Sequence, residues 1–119
     1  MHPIAIDPAA KAKFEASLQH DIGGPYANCE FEGVVVSCWQ STRQAHRPMT
    51  YMQVCIATTA GVTVWGQFHN FDGKPIPPFR KGDRVVLDKR QWRSLKSTAS
   101  VFRSRREDRR FTGRIVRSA

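Results

Sequence analysis

The chain lacks the sequence features of membrane-spanning and secreted proteins. None of its 119 residues lies in an apolar run of about 18 or more, the length that a helix needs to cross a bilayer. Residues 1–14 show no positive start followed by an apolar stretch and a small-residue cleavage site, so we expect no secretory signal. Cysteine is scarce: Cys29, Cys38 and Cys55 form no CxxC pair. We therefore expect reduced, mostly structural thiols in a cytoplasmic protein that does not bind membranes.

Motifs that identify enzymes and metal centres are also missing. The chain contains no GxxxxGK[ST], HExxH or GxSxG sequence, the patterns of common nucleotide-binding proteins, metalloproteases and serine hydrolases. Its histidines, at positions 2, 20, 46 and 69, show no metal-ligand spacing with one another or with the cysteines. Asp83 follows Lys81-Gly82 and fits a turn better than a catalytic site. We expect no catalytic residue, no metal ion and no cofactor.

Acidic residues are few in the C-terminal part of the chain, which makes that part strongly basic. Residues 74–119 contain 15 Lys and Arg against 4 Asp and Glu, a net charge of +11. Residues 1–73 contain 4 against 6, a net charge of −2, so the whole chain carries +9. Charge this one-sided repels itself unless a polyanion neutralises it. The alternative is a generally basic, solvated surface.

Aromatic residues accompany the cations in this basic part of the chain. They are Phe79, Trp92, Phe102 and Phe111. Single-stranded nucleic acid is bound by cations that contact its phosphates and by flat rings that stack on its bases. The combination therefore favours a nucleic-acid partner.

A short helix is predicted near the start of the chain. Asp7 is a good N-cap and Pro8 is favoured at the first helical position. The apolar stripe recurs every four positions and consists of Ala10, Phe14 and Leu18. We expect a helix over about residues 8–20 that ends near Ile22 and packs against the rest of the domain. Residues 1–28 then form this helix and a linker.

From Glu30 onward the hydrophobic period changes to two, which predicts a mainly β region over residues 29–119. Gly33 lies inside the first predicted strand, residues 30–39, and indicates a bulge or a bend. A polar loop follows at residues 40–48. The further predicted strands are residues 50–58, 62–69 and 84–87, with candidates at 100–104 and 111–117. Short strands with turn signals between them are typical of a small barrel.

The two central strands alternate strictly and so assign their side chains to two faces. The face expected in the core consists of Met52, Val54, Ile56, Val62, Val64 and Phe68. The opposite face carries Tyr51, Gln53, Trp65, Gln67 and His69. A tight turn is expected between the strands at Thr59-Ala60-Gly61. Aromatic and amide side chains on a solvent face indicate a binding surface, whereas Trp39 is expected in the core or at its rim.

The chain resembles the OB-fold family of single-strand-binding proteins. The resemblance rests on the glycine-bent strand at residues 31–35, the hairpin at 54–65 and the phrase Pro-Phe-Arg-Lys-Gly-Asp-Arg-Val at 78–85. The N-terminal helix and the long basic stretch at 88–110 depart from a minimal OB domain. The resemblance implies a five-stranded Greek-key barrel, to which this chain adds the N-terminal helix and a basic extension between the last two strands. It also implies a ligand face on strands two and three, flanked by the loops between strands one and two and between strands four and five.

Combining this face with the neighbouring basic segments predicts a basic groove with stacking rings in its floor. The predicted nucleic-acid-binding residues are Tyr51, Gln53, Trp65, Gln67, Arg43, Arg47, Lys89, Arg90, Trp92, Arg93, Lys96, Arg103, Arg105 and Arg106. The alternatives are that Tyr51 and Trp65 pack under the helix or against a partner subunit, and that the arginines at 103–110 form a solvated tip.

The sequence therefore predicts a non-enzymatic protein that binds single-stranded nucleic acid, with DNA favoured over RNA and with low sequence specificity. It would act alone, as a homo-oligomer or within a larger replication or conjugation assembly. One alternative is a small-barrel interaction module whose basic stretch meets an acidic protein surface. Another is a regulator that binds double-stranded DNA, which ranks lower because no helix-turn-helix pattern is visible.

Overall fold

The protein forms a small, closed antiparallel β-barrel with a helix at its N-terminus. A computed structural model describes residues 4–17, 29–43, 49–70, 75–89, 101–104 and 111–119. Within these ranges lie one helix and six strands: α1 (Pro8–Ser17), β1 (Glu30–Arg43), β2 (Met49–Thr58), β3 (Thr63–His69), β4 (Arg84–Lys89), β5 (Phe102–Ser104) and β6 (Thr112–Ser118). The strand order around the barrel is β1-β2-β3-β5-β6-β4.

The expectation of a mainly β barrel with an N-terminal helix is confirmed, but the expected number of five strands is wrong. The difference lies in the basic stretch, where β5 is a separate short strand. It pairs with β3 through Trp65 and Arg103 and with β6 through Arg103 and Thr112. The barrel therefore closes through a short antiparallel pair of strands. The fourth strand is also longer than expected and ends at Lys89.

Strand β1 pairs with two different strands along its length. Its first residues pair with β4, from Glu30 to Val34, and residues from Gly33 onward pair with β2. A Cβ on Gly33 would lie 2.5 Å from Cγ2 of Ile56, so only glycine lets β1 pass this close to the Ile56 side chain of β2. The register shift lies between Val35 and Ser37, a few residues beyond the bulge or bend expected at Gly33.

The first strand also continues past its predicted end at Trp39. Its residues up to Arg43 pair with the start of β2, where Arg43 faces Met49. The predicted loop at residues 40–48 is therefore wrong at its beginning, because backbone pairing with β2 extends the strand. The long β1–β2 ladder carries the outward side chains described below.

The predicted alternation of β2 and β3 is confirmed by burial in the core. Val54, Ile56 and Val64 are fully buried, and Phe68 packs partly buried against the same cluster. The predicted hairpin turn is present as well, since the Thr58 N–H donates to the carbonyl oxygen of Val62 at 3.0 Å. The faces of the hairpin are thus fixed by which side chains enter the barrel.

Helix α1 packs against the barrel, as expected. The Asp7 carboxylate caps it by accepting from the Ala9 N–H at 3.0 Å. Phe14 is buried, with its ring centroid 5.7 Å from that of Phe31 and 6.3 Å from that of Phe111. The predicted end of the helix near Ile22 lies outside the described residues.

Candidate functional site

Cross-strand pairing lines up the outward side chains of β1, β2, β3 and β5 in rows. Residues directly opposite each other in an antiparallel sheet point to the same side. The first row is Ser37, Cys55, Trp65 and Arg103; the second is Trp39, Gln53 and Gln67; the third is Ser41, Tyr51 and His69. We call these ten residues the aromatic face. Its rows run across the strands, with aromatic rings in each row and amides in the middle one.

The side chains of the aromatic face are exposed or half-buried, except that of Cys55, which is buried. Trp39 is 48% exposed, Gln67 and Arg103 are exposed, and Tyr51 and Trp65 are half-buried. The Trp39 and Tyr51 rings meet edge to face, with centroids 5.8 Å apart and planes at 68°. Aromatic rings held in fixed positions at a wet surface are suited to stacking against a flat ligand.

Five of the predicted binding residues come together on this face. They are Tyr51, Gln53, Trp65, Gln67 and Arg103. Lys89 lies elsewhere, because it ends β4 and its N–H donates to the carbonyl oxygen of Cys29 at 2.8 Å. Arg43 belongs to β1, while its side chain lies outside the described part. The remaining predicted residues also lie outside it: Arg47, Arg90, Trp92, Arg93, Lys96, Arg105 and Arg106.

Sequence reasoning missed Trp39, which belongs to the middle row rather than to the core or its rim. Phe31 and Val35 are buried in the core, so uninterrupted alternation would point Trp39 inward too. The extra residue in β1, Val36, reverses the alternation. Beyond it Cys38 packs against the core and Trp39 turns outward. A bulge of this kind leaves no clear mark in the pattern of a β-branched run.

On the other side of β1, two arginines of β6 form ion pairs with acidic residues of neighbouring strands. The Arg117 guanidinium contacts both carboxylate oxygens of Glu30, one of them at 2.9 Å. The Arg114 Nε lies 3.6 Å from Oδ2 of Asp88, whose side chain is buried. These pairs tie β6 to β1 and β4 and neutralise part of the basic charge. Arg114 and Arg117 are therefore already engaged with acidic side chains of neighbouring strands.

The thiols are free, and their surroundings are those of structural residues. Cys29 and Cys38 are half-buried and Cys55 is buried. Burial raises the pKa of the Cys29 thiol above its ordinary value, although nearby Lys89 acts in the opposite direction. Among the described residues, no three His, Cys, Asp or Glu side chains group as a metal site would require.

Comparisons with known proteins add no relative. No family model matches the chain, and no curated protein or solved structure is significantly similar to it. In the part of the chain that the structure describes, no helix has the length and apolar character to cross a membrane.

Proposed function

We propose that this protein binds single-stranded nucleic acid on its aromatic face, without catalysing a reaction. The observation that supports this most directly is the set of rows on β1, β2 and β3. They present Trp39, Tyr51 and Trp65 at the surface, with Gln53 and Gln67 between them. Bases would stack on the rings, and exposed cations at the border of the face would contact phosphates.

The binding would have low sequence specificity. A glutamine amide carries both donors and an acceptor, so Gln53 and Gln67 can meet the edges of several different bases. Stacking discriminates little, because every base has a π-face. Single-stranded DNA is the preferred ligand in this proposal, and RNA is the second choice. The same proposal places the protein in the cytoplasm. It would act there alone, as a homo-oligomer, or within a replication or conjugation assembly.

The same proposal includes an OB-like fold. An OB domain is a five-stranded Greek-key barrel that binds its ligand on strands two and three. Here β1 returns to pair with β4 across the bend at Gly33, and the β5–β6 pair would stand in place of a single last strand. The aromatic face then occupies the position at which an OB domain binds oligonucleotides.

Fluorescence-anisotropy titration with single-stranded DNA, single-stranded RNA and duplex DNA tests this function, at two salt concentrations. We expect binding to a single-stranded form, quenching of tryptophan fluorescence and weaker binding at higher salt. Trp65→Ala should weaken binding by about 1–3 kcal/mol, and Trp65→Phe, which keeps a flat ring, should weaken it less. Absence of binding to all three nucleic acids would refute the proposal and favour a protein-interaction module. Preference for the duplex would favour a double-stranded DNA regulator.

A further inference from the structure

The turn that precedes β4 lies along the edge of β1, beside the aromatic face. At its start, the Cys38 thiol donates to the carbonyl oxygen of Phe79, with Sγ and O 3.4 Å apart. At its end, the Gly82 N–H donates to the carbonyl oxygen of Val35 at 2.8 Å, and the Val35 N–H donates to that of Asp83 at 2.9 Å. The residues between these attachments therefore lie next to β1 where the rows of the aromatic face begin.

This turn is closed by its own hydrogen bonds. The Arg80 N–H donates to Oδ2 of Asp83 at 2.9 Å, and the Asp83 N–H donates to the carbonyl oxygen of Arg80 at 3.1 Å. Gly82 has a φ of +96°, a conformation that glycine adopts without steric cost. A turn held in this way can present side chains to a ligand with little loss of backbone entropy on binding.

The turn presents two cations to solvent. Arg80 and Lys81 are both exposed, and the Phe79 ring before them packs inward, with its centroid 5.2 Å from that of Phe68. The acid of the turn, Asp83, uses one carboxylate oxygen on the backbone of the turn itself. This arrangement differs from the wall around β6, where arginines are paired with acids of neighbouring strands.

We propose that Arg80 and Lys81 bind the phosphates of a single strand at the β1 border of the aromatic face. Arg103 lies at the opposite border, in the row of Trp65. Neighbouring strands are about 4.8 Å apart, so the path along the curved barrel wall from this turn across β1, β2 and β3 to β5 is about 19 Å. The nucleic acid would cross the strands, with its bases over the rows and its phosphates held at both borders. This inference rests on the proposed function and adds a binding element to it.

The salt dependence of binding measures phosphate contacts directly. Each contact with a single strand contributes about 0.7 to the slope of log affinity against log salt concentration. We expect the double variant Arg80→Ala/Lys81→Ala to reduce the slope for a single-stranded oligodeoxythymidine by about 1.4 relative to the unaltered chain. The matched control is Lys11→Ala/Lys13→Ala, which removes the same charge from exposed positions on α1 and should leave the slope unchanged. Lys81→Glu provides a second variant that keeps the long polar side chain at this exposed position.

The possible outcomes separate this inference from the proposed function. An unchanged slope in both turn variants, with Trp65→Ala still weakening binding, would overturn the role of the turn while the aromatic face stands. An equal fall in the α1 control would show that only net charge matters, and would also overturn it. If the unaltered chain binds no single strand, the proposed function itself fails. A slope that falls only in the turn variants, with unchanged melting temperatures, supports the phosphate-binding turn.

Discussion

Replacing Trp39 by alanine tests the aromatic face at a residue whose side chain is about half exposed to solvent and half packed against the protein. Because the side chain is 48% exposed, about 120 Å² of an indole surface of roughly 250 Å² stays open. A similar area is buried, and at about 25 cal/mol per Å² it stabilises the fold by at most about 3 kcal/mol. Alanine retains part of that contact, so the free energy of unfolding should fall by about 1–2 kcal/mol. Loss of stacking on the open half should weaken binding by about 1–3 kcal/mol, which raises the Kd about 5- to 150-fold.

Urea denaturation measures the stability of this variant, and anisotropy with labelled single-stranded DNA at fixed salt measures its Kd. Trp39→Phe keeps a ring and should recover most of the affinity. Val116→Ala is the control, since Val116 is 39% exposed but lies on β6, across the barrel from β2. A folded Trp39→Ala variant with a Kd within about twofold of the unaltered chain would refute stacking at this position, because even the weakest expected stacking exceeds that.

Three further predictions concern charge, packing and pH. The triple alanine variant at Arg103, Arg105 and Arg106 should lower the slope of log affinity against log salt concentration by about 0.7 for each phosphate that is no longer bound. An unchanged slope in a salt titration would show that none of the three arginines contacts phosphate. Gly113→Ala should lower the free energy of unfolding, measured by urea denaturation, by about 3 kcal/mol, because the alanine Cβ would overlap the Asp88 carbonyl oxygen. Ser118→Ala on the same strand is the control and should change the free energy of unfolding little. Since burial raises the pKa of Cys29, its thiol should be alkylated with a midpoint at higher pH than that of a free thiol. The stability that this group provides should be lost as pH rises through that midpoint. Cys29→Ser should remove this pH dependence, and a midpoint below that of a free thiol would contradict the assignment.

The parts of the fold that were predictable are those in which one simple period governs burial. Residues such as Val54, Ile56 and Val64 alternate without interruption, and the barrel needs them inside, so both faces of the β2–β3 hairpin followed from the sequence. The helix start could also be predicted, because the Asp7 side chain caps α1 by accepting a hydrogen bond from the Ala9 N–H in the first turn. These predictions succeeded because they depend only on a local helix cap and on a strict period-two alternation of apolar residues.

The parts that were not predictable depend on partners that are distant in sequence. The extra residue Val36 reverses the faces of β1 only because Val35 and Ser37 pair with consecutive residues of β2. Likewise, β5 is only three residues long and exists through pairing with β3 and β6. The predicted site consequently contained Trp65 but omitted its neighbour in the next row, Trp39. The sequence indicated a candidate strand at 100–104 and a bulge or bend near Gly33, but neither the pairing partners of β5 nor the exact position of the bulge can be derived from a period in a single sequence.

The contacts of individual cations refine what the net charge implies about a ligand. If all 15 Lys and Arg of residues 74–119 met phosphates of a single strand, the salt slope would be about 10. Arg114 and Arg117 are already paired with acids, and Lys89 lies beside Cys29 at the far end of β4. The two arginines cannot contribute without breaking ion pairs that join neighbouring strands, and Lys89 lies on a strand outside the aromatic face. The measured slope should therefore stay below that value and report the cations that can reach the ligand, which makes the slope a better measure of the binding surface than affinity alone.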